Sequence, residues 1–223
     1  MPRARLRILR TVRVECYAAT RAKDGGSANE DAFWISRQDG KVAALCDGAG
    51  NALQCAGRVA RLFGERVTSG TLDVARFPAW TGWLTSLDAS MAGGAQTTFV
   101  GVAALEDRIV GAYAGDSRAC LVNEHGCRIL TEDPCPRIGS GTVEPRPIHE
   151  RVVHRDVILL MSDGAWTPLQ PHAIHRIVMG LTTRHLSDVP PALLDLGGAK
   201  GRIDDMTVVA MRIVSTGTPA TSA

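Results

Sequence analysis

The sequence predicts an α+β fold, most simply two packed antiparallel sheets flanked by helices. Three observations carry that prediction. Short apolar runs separated by turn residues fill the chain before Gly50 and again from Thr97 to Met161. Between them lies a stretch whose apolar residues recur at helical spacings of three and four. A second helical stretch then precedes one last strand. Strands in runs and helices in runs mark α+β rather than strict strand–helix alternation. With 223 residues the chain is long enough for one domain with a sizeable core. Residues 1–214 read as that domain, and the small-residue stretch 215–223 as a tail expected to lack order.

Arg3 to Val14 alternates and reads as a strand, with Arg3, Arg5, Arg7 and Arg10 on an exposed face. A second strand is expected around Cys16–Ala19. Arg21 to Ala28 carries Asp24-Gly25-Gly26-Ser27 and reads as a loop. Asn29-Glu30-Asp31 leads into the strand Ala32–Ile35. Gln38-Asp39-Gly40-Lys41 is a hairpin turn of the Asp-Gly type, opening the buried strand Val42–Cys46. Ala52, Cys55, Ala56, Val59, Ala60, Phe63 and Val67 then form one helical face, ended by Thr68-Ser69-Gly70. A second helix follows Pro78 through Trp80, Trp83, Leu84, Leu87 and Met91, and stops at Gly93-Gly94. Its tryptophans read as packing residues. Thr97 to Leu105, Ile109 to Ala114, Ala119 to Asn123 and Arg128 to Leu130 form an antiparallel meander. Asp133 to Pro147, with four prolines, reads as a loop. Val152-Val153 and Val157–Met161 resume the strands. Pro171–Thr183 and Pro190–Leu196 read as helices, and Met206–Val214 as the final strand.

A net charge of +2 gives no ground for nucleic-acid binding, and no apolar run approaches the length of a membrane span. The basic N-terminus lacks the apolar region of a secretory signal. The six cysteines include no CxxC pair and no zinc-finger spacing. They fit a reduced, cytoplasmic location, although the sequence leaves one or two disulfides open.

Two apolar runs end alike. Val42-Ala43-Ala44-Leu45-Cys46 delivers Asp47-Gly48, and Val157-Ile158-Leu159-Leu160-Met161-Ser162 delivers Asp163-Gly164. One Asp-Gly after a strand is most often an ordinary turn. Two with such similar lead-ins point to carboxylates meeting at one place. Asp31, Asp116 and the pair Asp204-Asp205 also stand at strand ends or tight turns. Clustered carboxylates repel unless a cation sits between them. Oxygen donors of this kind suit Mg²⁺ or Mn²⁺. His149 and His154 lie outside these stretches and read as solvated surface residues rather than general acids.

Asn29-Glu30-Asp31-Ala32, Asp47-Gly48-Ala49-Gly50, Gln96-Thr97-Thr98, Gly115-Asp116-Ser117-Arg118-Ala119, Leu159 to Trp166, and Asp204-Asp205-Met206-Thr207-Val208-Val209 occur in that order. Together they resemble the motifs of the metal-dependent Ser/Thr protein phosphatases, the type 2C family, in its compact bacterial form. The resemblance runs from about residue 10 to residue 213. It implies a β-sandwich of two antiparallel sheets with helices on both outer faces, an αββα arrangement, and a dinuclear metal centre at one end. By motif position Asp47 bridges two Mg²⁺ or Mn²⁺ ions and the Gly48 carbonyl binds one. Asp31 ligates on one side, Asp163 and Asp204 on the other. Asp116 matches the residue that helps hold a third, weaker ion in bacterial members. Asp205 falls where the family often has Asn, which implies a supporting or turn-capping role. The implied reaction is in-line attack on phosphoserine or phosphothreonine by water activated at the two ions, with no nucleophilic Cys or Ser. The implied partner is a phosphorylated protein, and the implied counterpart a Ser/Thr kinase in bacterial signalling.

The chain departs from the family in three places. Bacterial members carry an Arg three residues before the Asn of Asn-x-Asp-Ala, where it clamps the substrate phosphate. Here that residue is Gly26, and Arg21 and Lys23 are the candidates to replace it. Asn51 stands where glycine is usual and reads as a helix cap. After Thr131-Glu132-Asp133 comes Pro134 and a short proline-rich loop, so the flap beside the site is reduced and the third-ion site weakened. The expected function is a metal-dependent Ser/Thr phosphatase. The alternatives are a weak or inactive pseudophosphatase that binds a phosphoprotein or regulatory partner, and a binding module whose aspartates only shape turns.

Overall fold

The computed structural model describes residues 12–25, 28–37, 41–49, 54–182, 185–201 and 203–215. The basic segment Arg3–Arg10, Gly26, the turn at 38–40, Asn51, Ala52 and residues 216–223 lie outside them. In chain order the elements are β1 (Val12–Arg21), β2 (Ala32–Ile35), β3 (Val42–Cys46), β4 (Gly48–Ala49), α1 (Cys55–Thr68) and α2 (Phe77–Met91). Then follow β5 (Gln96–Thr97), β6 (Phe99–Ala104), β7 (Arg108–Ala114), β8 (Arg118–Asn123), β9 (Gly126–Ile129) and β10 (Arg146–Arg151). The chain closes with β11 (Val157–Met161), α3 (Asp163–Trp166), α4 (Pro171–Leu181), α5 (Val189–Gly197) and β12 (Met206–Ser215).

Two five-stranded sheets result, one in the order β1-β12-β11-β8-β9 and the other β10-β7-β6-β3-β2. The strand pairs are antiparallel throughout. Strand parity sorts the residues into layers. Ala43, Leu45 and Val100 of one sheet meet Ile158, Leu160 and Val209 of the other in the central core. Val42, Ala44 and Cys46 point the opposite way, beneath Phe63 of α1 and Trp80 of α2. Val157, Leu159 and Met161 likewise point outward, beneath Ile174 of α4 and Leu193 of α5. Both faces of β3 and β11 are therefore covered. That is why these strands read as unbroken apolar runs instead of alternating. Phe63 packs edge-on against Trp34 and Phe99 and tilted against Trp80 and Trp83, so these tryptophans are packing residues. The layers are the expected αββα. Among the described residues no helix is long and apolar enough to cross a membrane. None of the six cysteines is in a disulfide.

The structure corrects several local expectations. Val12–Arg21 is one strand rather than two, because all ten residues pair continuously with β12. Thr97–Leu105 divides at Thr98 into β5, which pairs with β4, and β6, which pairs with β3. The segment read as loop up to Pro147 already contains β10, and Val152 lies beyond that strand. Pro147 is opposite Ala112 on an edge strand, where a residue without an N–H is tolerated. The position before α1 belongs to Gln54, at φ 108 and with no side-chain cap, rather than to Asn51. Ser215 closes β12 instead of opening a tail.

Candidate metal centre

β3 and β11 belong to opposite sheets, and each ends at the same end of the sandwich. Asp47 and Asp163 are thereby neighbours: the Asp163 backbone N–H points to Asp47 Oδ2 at 3.4 Å. β2 pairs with β3 so that Ala32 lies opposite Cys46. The next step of that ladder sets Asp31 beside Asp47. β12 begins just after Asp204 and Asp205, and the charges of Asp204 and Asp116 both bear on Asp163. Sheet topology thus gathers five separately predicted carboxylates at one end.

Two threonines fix the bend at Asp47. Thr98 Oγ1 accepts the Asp47 backbone N–H at 2.9 Å and shares a hydrogen bond with Ser117 Oγ at 2.7 Å. The Thr97 hydroxyl donates to the Asp47 carbonyl at 2.8 Å. Ser162 is equally tied, its Oγ accepting the Thr207 N–H at 2.9 Å. The sequence singles out Gln96-Thr97-Thr98 as a motif but gives it no role; the structure makes it the brace of Asp47. Gly48 is needed for close approach rather than for an unusual φ. A Cβ there would lie 2.8 Å from the Glu30 carbonyl oxygen. Gly164 has the same need, since its Cβ would run into the Asp205 carbonyl.

The electrostatics of the carboxylates are unusual. Both Oδ atoms of Asp31 are buried and have no hydrogen-bond partner. Burial pushes this carboxyl up to about 7, an effect that the nearby Ser162 and Thr207 hydroxyls only partly offset. Burial, then the charges of Asp31 and Asp163, pushes Asp47 up to about 9. Asp163 is raised by burial first, then by Asp204 and Asp116. A buried carboxylate with no partner is costly, and it either holds a proton or takes a cation. The orphaned oxygens of Asp31 and the all-oxygen donor set fit Mg²⁺ or Mn²⁺. Among the described residues, no three His, Cys, Asp or Glu side chains already surround a single point. The backbone brings these carboxylates to the same end of the sandwich.

The remaining predicted residues fall as follows. Asp205 is buried and accepts the backbone N–H groups of Lys23 at 2.8 Å and Glu30 at 2.6 Å. It supports the loop that carries Asp31. Asp204 is exposed and caps the Asp205 N–H at 2.8 Å. Arg21 turns to Asp195 of α5, 2.8 Å away. Lys23 stays near the acidic end: its ammonium is 3.5 Å from Glu30, and Asp205 above all raises its pKa. Asp116 is bound by Arg137, which sequence reasoning missed. His149 and His154 are exposed.

No protein-family model matches the chain, and no curated protein matches it in sequence. Solved structures do match. Serine/threonine phosphatase Stp1 from Staphylococcus aureus superposes with a TM-score of 0.81 at 20% identity, over 95% of this chain and 99% of that one. The fold is that of the bacterial serine/threonine phosphatases. A bacterial serine phosphatase shares this phosphatase fold with a TM-score of 0.80 at 19% identity, over 92% of this chain and all of the other. The catalytic domain of the serine/threonine phosphatase PstP does so with a TM-score of 0.71 at 20% identity, again over 92% and 100%. That structure is a complex with two manganese ions.

Proposed function

We propose that the chain is a Mg²⁺- or Mn²⁺-dependent phosphoprotein phosphatase acting on phosphoserine and phosphothreonine. The observation that carries this reading is the convergence of Asp31, Asp47 and Asp163, with both oxygens of Asp31 buried and unpartnered. Asp31, Asp47, the Gly48 carbonyl, Asp163 and Asp204 would hold two ions. Bound there, the ions would supply the positive charge that generates hydroxide from water at neutral pH and that steadies a phosphoryl oxygen. The PstP complex with two manganese ions supports that count. The chain's own contribution is placement. Thr97 and Thr98 hold the Asp47 backbone, and Asp205 holds the Asp31 loop. Lys23 is the phosphate-binding candidate that faces the acidic end, since Arg21 is engaged with Asp195. A cytoplasmic location and an opposing Ser/Thr kinase belong to the same reading.

The test is hydrolysis of an aryl phosphate and of a phosphopeptide with added Mn²⁺. Activity should vanish with a chelator and in Asp163→Asn. Turnover that survives chelation sinks the proposal. Gly26 at the position of the expected phosphate-clamping Arg, together with the short proline-rich loop after Asp133, motivates a second reading, in which the chain binds a phosphoprotein or regulatory partner with little or no turnover. Calorimetric metal binding with no turnover of any phosphopeptide would select that one.

A further inference from the structure

Among the described residues, Asp116 is the predicted ion ligand that already has a cation. Arg137 Nη2 lies 2.9 Å from Asp116 Oδ2 and 3.1 Å from Oδ1, so one guanidinium nitrogen serves both carboxylate oxygens. The pair is partly screened from solvent, with the side chains 33% and 39% exposed. Asp116 is held from behind as well, its carbonyl accepting the Trp166 indole N–H at 3.2 Å.

Arg137 does not reach Asp116 by the chance fall of a surface side chain. Its segment is fixed on both sides. Cys135 and Gly115 exchange backbone hydrogen bonds at 3.1 and 3.4 Å, and Ile138 and Thr97 exchange theirs at 2.9 and 3.0 Å. Beyond these, the buried carboxylate of Asp88 accepts the N–H groups of Gly139, Gly141 and Val143. The backbone carrying Arg137 is therefore anchored to β5, to the Gly115 turn and to α2. An ion at Asp116 would have to displace a guanidinium that stays within a few ångströms, and two cations there repel.

We infer that Arg137 takes the place of a third divalent ion at Asp116, so that this chain's centre carries a fixed guanidinium where the type 2C resemblance implies a weak metal site. The inference rests on the metal-centre reading for what lies beside Asp116, but its test does not depend on turnover. Mn²⁺ bound at equilibrium is counted from the loss of free-ion electron paramagnetic resonance signal, titrated into the millimolar range. Wild type, Arg137→Met, Arg137→Lys and the double variant Arg137→Met/Asp116→Asn are compared, each checked for a cooperative melt.

The expected result is one more ion per chain in Arg137→Met than in wild type. Arg137→Lys should keep the wild-type number, and the double variant should lose the added ion. Equal numbers in wild type and Arg137→Met overturn the inference, as does a wild-type count that falls in Asp116→Asn alone. A wild type that binds no Mn²⁺ sinks the two-ion reading. The difference between wild type and Arg137→Met still decides the role of Arg137.

Discussion

Asp31 has two buried oxygens and no partner, which separates it from every other carboxylate in the chain's described residues. Replacing it with Asn removes the charge and keeps the shape. In Asp31→Asn the thermal midpoint of the metal-free protein at pH 8 should hold or rise, because burial already disfavours ionisation there. The rise in midpoint produced by Mn²⁺ should disappear, and activity should fall by more than the roughly 10–100-fold typical of an outer partner's loss. A variant that melts as wild type with and without Mn²⁺ would remove Asp31 from the ligand set. Gly48 gives a second prediction. Its absent Cβ leaves room for the Glu30 carbonyl, 2.8 Å from where that atom would stand. Gly48→Ala should cost about 1–3 kcal/mol in urea unfolding, the usual range for overpacking. The sequence marks both positions but gives the glycine a role only through its carbonyl, not through the Cβ it lacks. Apolar spacing locates the end of a strand; it does not say which other backbone segment passes over it.

Asp88 controls an element rather than a site. It sits one turn after Leu84 on the buried face of α2 and accepts three N–H groups of the segment that carries Arg137. Asp88→Ala leaves those donors unpaired, and stability should drop by about 2–4 kcal/mol. Hydrogen exchange should quicken from Pro134 to Pro145 before it does in β6 or β7, and uniform exchange across all three would contradict the anchoring role. An acidic residue four positions beyond Leu84 on an apolar stripe is a signal in the sequence that something buried needs an acceptor. What needs it is invisible there, because the partners lie in a loop about fifty residues away. The same limit explains the other local departures. α1 and α2 were legible because burial of one face imposes a period, and β3 and β11 because burial of both faces leaves a short unbroken apolar run. The break at Thr98 and the start of β10 were not, because they depend on which strand lies alongside. Pro147 even argues against its own strand until that strand is known to be an edge.

At the scale of the whole molecule, the six ordered motifs made the sandwich and its acidic end readable, because each motif stands at the start or end of a strand and topology carries those ends to the same place. The energetic consequence of that gathering is a pH dependence opposite to the one usual for carboxylates. Asp31 is pushed up to about 7 and Asp47 up to about 9, and Asp163 moves in the same direction. In the unfolded chain these groups titrate near about 4. Between those limits the metal-free folded state therefore binds more protons than the unfolded state. By linkage the contribution of these groups to its stability is fully present below about pH 4 and is lost as pH rises through about 7 and then about 9. A bound cation reverses the preference for protons, so metal uptake should release them and tighten as pH rises. Thermal midpoints measured with chelator and with saturating Mn²⁺ between about pH 5.5 and pH 8.5 should diverge steadily, the metal-free curve falling and the Mn²⁺ curve staying flatter. Calorimetry in buffers of different ionisation enthalpy should register the released protons. A metal-free midpoint that climbs across this range would mean that the carboxylates are already ionised and paired in the folded chain, which would leave no unmet charge for an ion to satisfy.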